Sequence, residues 1–115
     1  MNFIIKIIIT AAVAYGLSKV LTAVHIDSFS TAIIFSFVLA ILNAIVRPLL
    51  IILTLPITIL TLGIFLFIIN ALIILLADKF VSGISIDGFL WALIFSLILS
   101  ALSSLLYSMF DKKDS

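Results

Sequence analysis

The sequence lacks cysteine, glutamate and glutamine, and charged residues make up only 10% of its 115 positions. Without cysteine the chain has no disulfide, no thiol chemistry and no cysteine-ligated metal. An average soluble domain is about 25% charged and roughly 45–50% apolar, whereas this chain is 66% apolar. A small soluble domain exposes too much surface to hide so many apolar side chains. The composition therefore predicts an integral membrane protein.

The scarcity of charged and reactive side chains also excludes several functions. A net charge of +1 gives no electrostatic basis for binding nucleic acid. The sequence contains no paired carboxylates, no nucleophile–base pair and no phosphate-binding loop, and no carboxylate lies in the middle of an apolar segment. His25 has no second His, Cys or Glu near it for a metal site. We therefore expect neither catalysis nor a metal or other cofactor.

Four apolar segments are candidates to cross the bilayer, which requires about 20 residues as a helix. They cover residues 3–20, 29–46, 63–77 and 89–110, and a polar tail, residues 111–115, follows the last one. The chain is therefore predicted to be one all-α membrane domain, residues 1–115, with four transmembrane helices.

A linker interrupted by proline separates the second and third predicted helices. Residues 48–77 carry no charged side chain, and one helix of that length would run about 45 Å, too long for a single crossing. Pro48 and Pro56 each remove a backbone donor and favour a break before themselves, and Gly63 closes the segment. Residues 47–62 are predicted to form two short helical pieces that are interfacial or re-entrant.

The distribution of basic residues predicts the orientation in the membrane. Four crossings place both termini on one side, and the more basic side is usually cytoplasmic. One side carries Lys6, Arg47, Lys112 and Lys113, and the other carries Lys19 and Lys79. Both termini are therefore predicted to be cytoplasmic.

The sequence matches itself when it is shifted by 60 positions. Residues 26–29, Ile-Asp-Ser-Phe, align with residues 86–89, Ile-Asp-Gly-Phe, and the helices after them share further residues. The predicted unit is helix, polar turn, helix, with repeat one at about 3–46 and repeat two at about 63–110. Because an even number of crossings separates equivalent points, the two units point the same way and are related by an axis along the membrane normal.

Each polar turn of the repeat contains an aspartate and a short β-prone stretch. Asp27 and Asp87 are predicted to cap the helices that follow them by accepting from free backbone N–H groups. Residues 24–26 and 84–86 favour extended structure, and we treat their pairing with each other outside the membrane as a hypothesis.

Small residues recur every four positions along the second and fourth predicted helices. Such spacing lets membrane helices approach closely. One interpretation is packing of the second helix on the fourth within the chain, and the alternative is a subunit interface or a polar pore lining. The stripe consists of Ala32, Ser36, Ala40, Ala44, Ala92, Ser96, Ser100 and Ser104.

Three polar residues form the candidate functional core. Asn43 and Arg47 are four positions apart and share a helix face, and Asn70 lies in the middle of the third helix. One interpretation pairs Asn43 with Asn70, or either amide with backbone freed by the prolines, and sends Arg47 to lipid headgroups. The alternative is contact with an ion or a substrate.

Several short motifs together resemble one known family. They are residues 42–50 (LNAIVRPLL), 53–56 (LTLP), 61–63 (TLG) and 69–72 (INAL). This pattern resembles the four-helix phage holin family called superfamily IV. The resemblance implies a small bacterial inner-membrane protein with four transmembrane helices, and the family label implies oligomers that permeabilise the membrane during lysis. The residues that match the pattern carry no catalytic role; they are Asn43, Arg47, Pro48, Pro56, Gly63 and Asn70.

Three functions remain open from the sequence. The first is a holin-like pore former that associates with further copies of itself in the bilayer. The second is a structural or envelope-stress membrane protein that binds lipid or unidentified partner proteins. The third is a small channel or transporter, which the lack of membrane-embedded acids disfavours. The residues themselves favour a packed oligomer, because no helix offers a polar face over the whole of the membrane core.

Overall fold

A computed structural model describes residues 2–114, with side chains described through residue 110. The chain is mostly helical. Its elements in chain order are α1 (Phe3–Val20), β1 (Val24–Ile26), α2 (Phe29–Leu53), α3 (Leu55–Leu60), α4 (Phe65–Phe80), β2 (Ile84–Ile86) and α5 (Phe89–Asp114).

Three of these helices are long and apolar enough to cross a membrane. They are α1, α2 and α5 up to Phe110, with a mean hydropathy of 1.8, 2.3 and 2.3 over their best windows. Helix α4 has 16 residues, fewer than a straight crossing usually needs. The prediction of an apolar helical membrane protein is thus confirmed.

A bundle is formed by helices α1, α2, α4 and α5, and each of them packs on two neighbours. Helix α1 packs on α2 and α5, and α4 also packs on α2 and α5. Helices α2 and α5 therefore lie diagonally across the bundle, so the expected packing of the second helix directly on the fourth is wrong. They touch through Phe35 and Phe95, which are both fully buried, with ring centroids 6.2 Å apart.

A two-stranded antiparallel ribbon closes one end of the bundle. Strands β1 and β2 pair Val24 with Ile86, His25 with Ser85 and Ile26 with Ile84, which confirms the hypothesis that the two stretches pair. The aliphatic side chains of both strands are buried against the helices, whereas His25 and Ser85 are exposed. The alternation of side chains along a strand explains this division.

The ribbon contacts are repeated at positions 60 apart. The Asp27 N–H donates to the Gly83 carbonyl at 2.8 Å, and the Asp87 N–H donates to the Ala23 carbonyl at 2.9 Å. Phe35 and Phe95, which are in contact, are also 60 positions apart and therefore occupy equivalent positions in the two predicted units. The two backbone hydrogen bonds are therefore reciprocal: each half of the chain donates one bond to the equivalent position of the other half.

Helix α2 does not end before Pro48, contrary to the prediction, but continues to Leu53. The proline removes only its own N–H bond to the preceding turn, and the helix keeps its other bonds because an apolar medium offers the backbone no other partners. The residue that caps the end of the helix is Thr54. Its N–H and its hydroxyl both donate to the Leu50 carbonyl, at 3.0 Å and 2.6 Å. Of the predicted linker, residues 47–62, the first part is therefore helix α2.

Pro56 and Gly63 lie at the two ends of the short helix α3. Pro56 occupies its first turn, where no backbone donor is needed. Gly63 follows it with φ 90°, in the left-handed region that favours glycine, and its N–H donates to the Thr58 carbonyl at 2.9 Å. The chain then enters α4 at Phe65.

The two aspartates do not cap the helices that follow them. The cap of α2 is Ser28, whose hydroxyl accepts from the Thr31 N–H at 3.2 Å, and the carboxylate of Asp27 instead contacts His25 at 2.6 Å. At α5 the residue before the first helical position is Gly88, one position after Asp87. Each aspartate lies one position before the helix cap, because its backbone N–H donates to a carbonyl at the end of the opposite strand of the ribbon.

The predicted polar tail, residues 111–115, is mostly part of the last helix. The backbone of α5 continues to Asp114, since nothing in this segment breaks a helix. Ser115 lies outside the described residues.

Candidate ligand cavity

A cavity of about 250 Å³ with polar and apolar side chains in its wall lies within the bundle, between the ends of the helices remote from the ribbon. It is bounded by residues 3–10 of α1, 36–47 of α2, 70–74 of α4 and 96–107 of α5. Its polar lining consists of Lys6, Thr10, Ser36, Asn43, Arg47, Asn70, Ser96, Ser100, Ser103, Ser104 and Tyr107.

Arg47 joins the two predicted asparagines at one side of the cavity. Its Nε donates to the side-chain oxygen of Asn43 at 3.0 Å, one helical turn earlier on α2, and its Nη2 donates to the side-chain oxygen of Asn70 on α4. The three candidate core residues therefore come together. The expected pairing of the two amides with each other is wrong, because the guanidinium stands between them as a shared donor. Arg47 is half-buried and turned to the cavity.

A second polar cluster, which the sequence did not predict, lies at another side of the cavity. The hydroxyl groups of Thr10 and Tyr107 are hydrogen-bonded, joining α1 to α5. The Nζ of Lys6 lies 5.7 Å from the centroid of the Tyr107 ring. Tyr107 stands 60 positions after Arg47, and Asn70 stands 60 positions after Thr10. The shift of 60 was thus the signal that could have found this cluster.

The small-residue stripe is divided between packing and cavity lining. At the ribbon end, Ala32 and Ala92 are fully buried in the core. Towards the other end, Ala40, Ser100 and Ser104 line the cavity, and Ala44 is exposed. Of the two alternatives drawn from the sequence, direct packing of α2 on α5 is wrong, because their main packing partners are α1 and α4. The other alternative, a subunit interface or a pore lining, stays a prediction.

Two serine hydroxyls in the cavity wall are buried without a hydrogen-bond partner in the described part of the chain. Ser36 is 1% exposed and Ser103 is 5% exposed. Ser96 differs, since its hydroxyl donates to the Leu93 carbonyl of its own helix at 2.9 Å. Buried hydroxyls normally find a partner in the protein, in ordered water or in a ligand.

The cavity has cationic side chains in its wall and apolar residues at its ribbon end. Arg47 and Lys6 line it, and within residues 2–110 no carboxylate does. Leu39 and Leu99 bound it, and the buried rings of Phe35 and Phe95 lie one turn nearer the ribbon. Within the same residues no group of His, Cys, Asp or Glu could hold a metal ion.

The fold and the cavity together define a polytopic helical membrane protein with a polar cavity at one end of the bundle. The chain belongs to the mycobacterial four-transmembrane-segment phage holins, superfamily IV, whose family model matches residues 1–105. The predicted resemblance is therefore confirmed: the family has four transmembrane segments, and three helices of this structure, α1, α2 and α5, are long and apolar enough to cross a membrane.

Two relatives are uncharacterized bacterial proteins. The uncharacterized membrane protein YvlD of Bacillus subtilis (strain 168) is 41% identical over 97 residues, which cover 84% of this chain and 82% of the relative. The uncharacterized protein SCO3922 of Streptomyces coelicolor is 34% identical over 112 residues, covering 89% and 90%. No solved structure matches the chain.

Proposed function

We propose that this protein is a non-lytic binding protein of the bacterial inner membrane, which holds a polar ligand in its cavity and performs no catalysis. The observation that carries this proposal is the cavity itself, with polar side chains from α1, α2, α4 and α5 and with Leu39 and Leu99 at its ribbon end. The proposal develops the lipid-binding alternative drawn from the sequence. A channel needs a polar path through the whole bundle, whereas the buried rings of Phe35 and Phe95 fill the core between the cavity and the ribbon.

We further propose that the cavity faces the cytoplasm and that both termini lie on that side. The cavity end carries Lys6 and Arg47, with Lys112 and Lys113 at the end of α5, whereas the ribbon end carries Lys19 and Lys79. Basic residues concentrate on the cytoplasmic side of membrane proteins. The ribbon then lies on the outer side of the membrane.

We also propose that the two halves of the chain are a tandem repeat related by a two-fold axis through the ribbon and the cavity. The reciprocal ribbon bonds and the contact of Phe35 with Phe95 support it. The contacts of Arg47 with Asn70 and of Tyr107 with Thr10 support it inside the cavity. The linker between the halves, including α3, would then lie at the cytoplasmic interface.

The outer surface of the bundle argues against a wide lesion. A water-filled lesion needs a helix face that tolerates water over about 30 Å of membrane core. The outward side chains of α2 include Ile34, Ile41 and Ile45, which are exposed and apolar, while the polar residues converge inside one chain. If copies associate, as predicted from the sequence, they do so through these lipid-facing surfaces.

Accessibility of single cysteines tests the binding cavity. Because the chain has no cysteine, Ser100→Cys introduces the only thiol. We expect it to react with a membrane-impermeant maleimide in inside-out vesicles and not in intact spheroplasts. The neighbouring Ala101→Cys is the matched control, since Ala101 is exposed but does not line the cavity, and it should remain unlabelled in both. Labelling of Ser100→Cys from both sides would indicate a channel and contradict the proposal.

Induction together with an endolysin that has no export signal tests the lesion directly. We expect no abrupt lysis, because the polar residues face the inside of the bundle and, among residues 2–110, no helix has a polar outer face that could line a water-filled lesion. A known lysis holin expressed at the same level serves as the positive control. Abrupt lysis that requires both proteins would establish a holin and overturn the non-lytic proposal.

A further inference from the structure

We propose that the ligand of the cavity is a phosphate-bearing anion, bound by the Arg47 guanidinium and by the hydroxyl of Ser103. This inference rests on the proposed binding function and names the chemistry of its ligand. The two possible sources of that chemistry are a phospholipid headgroup of the cytoplasmic leaflet and a free phosphate ion.

The charge of Arg47 is positioned but not neutralised by its neighbours. Its two hydrogen-bond acceptors, the side-chain oxygens of Asn43 and Asn70, are neutral amides. A guanidinium has five N–H groups in a planar fork, and these two contacts orient the fork without using all of them. Because a half-buried cation needs an opposite charge to offset its loss of hydration, the site favours an anion.

The two unpartnered serines supply neutral donors in the same cavity. Ser36 stands on α2 itself, about 10 Å along the helix from Asn43, which holds the guanidinium, so it supplies a donor deeper in the cavity. Ser103 stands on α5, across the bundle from α2 and 60 positions after Asn43. A carboxylate has two oxygens in one plane, which the fork of Arg47 alone can match, whereas a phosphate has oxygens in several directions and can accept from the fork and from the Ser103 hydroxyl at once. The arrangement of donors therefore favours phosphate.

The size and place of the cavity suit a phosphate ester. One water occupies about 30 Å³ of liquid, so a cavity of about 250 Å³ holds a phosphate group with part of an attached alcohol. Lys6 adds a second cation to the wall. Basic pockets between helices on the cytoplasmic side of a membrane are places where anionic headgroups bind.

Thermal unfolding of the full chain in an uncharged detergent tests the proposal. A ligand that binds only the folded state raises the midpoint by an amount that grows with the logarithm of its concentration once this exceeds the dissociation constant. The additions are inorganic phosphate, dihexanoyl phosphatidic acid, dihexanoylglycerol as the uncharged lipid, and chloride at matched ionic strength. We expect phosphatidic acid to raise the midpoint with this logarithmic dependence, and chloride and dihexanoylglycerol to leave it unchanged.

The two sources of phosphate give different results. A midpoint that rises with phosphatidic acid at concentrations at least tenfold below those of inorganic phosphate assigns the site to a lipid headgroup. A rise with inorganic phosphate alone assigns it to the free ion. No rise with either compound overturns the inference.

The variants separate ligand binding from structure. Arg47→Gln should weaken phosphate binding at least tenfold, whereas Lys19→Gln, which removes a cation near the ribbon, should leave it unchanged. Ser103→Ala should weaken binding several-fold without lowering the stability of the unliganded protein, because the hydroxyl it removes has no partner in the described chain. Unchanged affinity in Ser103→Ala would count against the assigned donors even if Arg47→Gln fails to fold.

The failure of this inference differs from the failure of the proposed function. If Ser100→Cys is labelled from the cytoplasmic side only but phosphate compounds do not bind, the cavity stands and its ligand is not a phosphate. If Ser100→Cys is unreactive from that side, the cavity proposal itself fails.

Discussion

At the scale of single residues, the cavity depends on one cation held by two amides. The sequence predicted that Asn43 and Arg47 share a helix face, because their spacing is one turn. It did not predict that Asn70 would also meet Arg47, because the relative heights of α2 and α4 depend on packing between helices and on the length of α3. The contact of Thr10 with Tyr107 was missed for the same reason.

Removal of the Asn70 amide should destabilise the bundle more than removal of the Asn43 amide. Asn70→Leu leaves one N–H of a half-buried guanidinium without its acceptor, and we expect a loss of about 1–2 kcal/mol in the free energy of unfolding. Asn43→Leu should cost less than about 1 kcal/mol, since Asn43 is exposed and water can replace its amide. Unfolding in mixed detergent micelles provides the measurement.

A double-mutant cycle identifies the partner of Asn70. In an Arg47→Met background there is no guanidinium that could lose its acceptor. Asn70→Leu should therefore change the free energy of unfolding little in that background. An equal cost in both backgrounds would show that Asn70 acts through another group.

At the scale of elements, local patterns predicted the helices well and their ends less well. The bounds of α1 and the start of α2 agree with the prediction because charged and polar residues flank both apolar runs. The end of α2 was wrong because a proline breaks a helix only where the freed carbonyl has another partner, such as water. The short strands pair because each follows a helix end and their aliphatic side chains cover the same core.

Alanine substitutions at two glycines test the turn between α3 and α4. Gly63 has φ 90°, and a Cβ there would meet nothing within 4 Å, so the cost of Gly63→Ala is conformational, about 1–2 kcal/mol of stability. Gly16 lies inside α1 with equally open surroundings, and Gly16→Ala should stabilise the protein by about 0.5–1 kcal/mol. Opposite shifts of the unfolding midpoint are expected. Shifts of the same sign would show that residue 63 does not need the left-handed conformation.

At the scale of the whole molecule, the proposed tandem repeat makes the two halves alike in their core and different in the cavity. Equivalent core positions, such as Phe35 and Phe95, carry the same residue and are equally buried. In the cavity, Arg47 corresponds to Tyr107, so one half supplies a guanidinium where the other supplies a phenol. This difference could be found in the sequence once the shift of 60 was known, but its meaning required the helices to be placed around a common cavity.

The ribbon allows the fold and its orientation to be tested together. His25 and Ser85 are exposed and directly paired, at a separation that suits a disulfide in an antiparallel ribbon. If the ribbon lies in the oxidising compartment outside the inner membrane, His25→Cys with Ser85→Cys should form an intramolecular disulfide in living cells. His25→Cys with the exposed but unpaired Ser82→Cys is the matched control. Thiol alkylation followed by non-reducing electrophoresis provides the measurement.

A bond that forms only after an oxidant is added to isolated membranes would place the ribbon in the cytoplasm and reverse the proposed orientation. Disulfide-linked dimers would show instead that the strands pair between two chains, in which case the cavity would belong to the dimer.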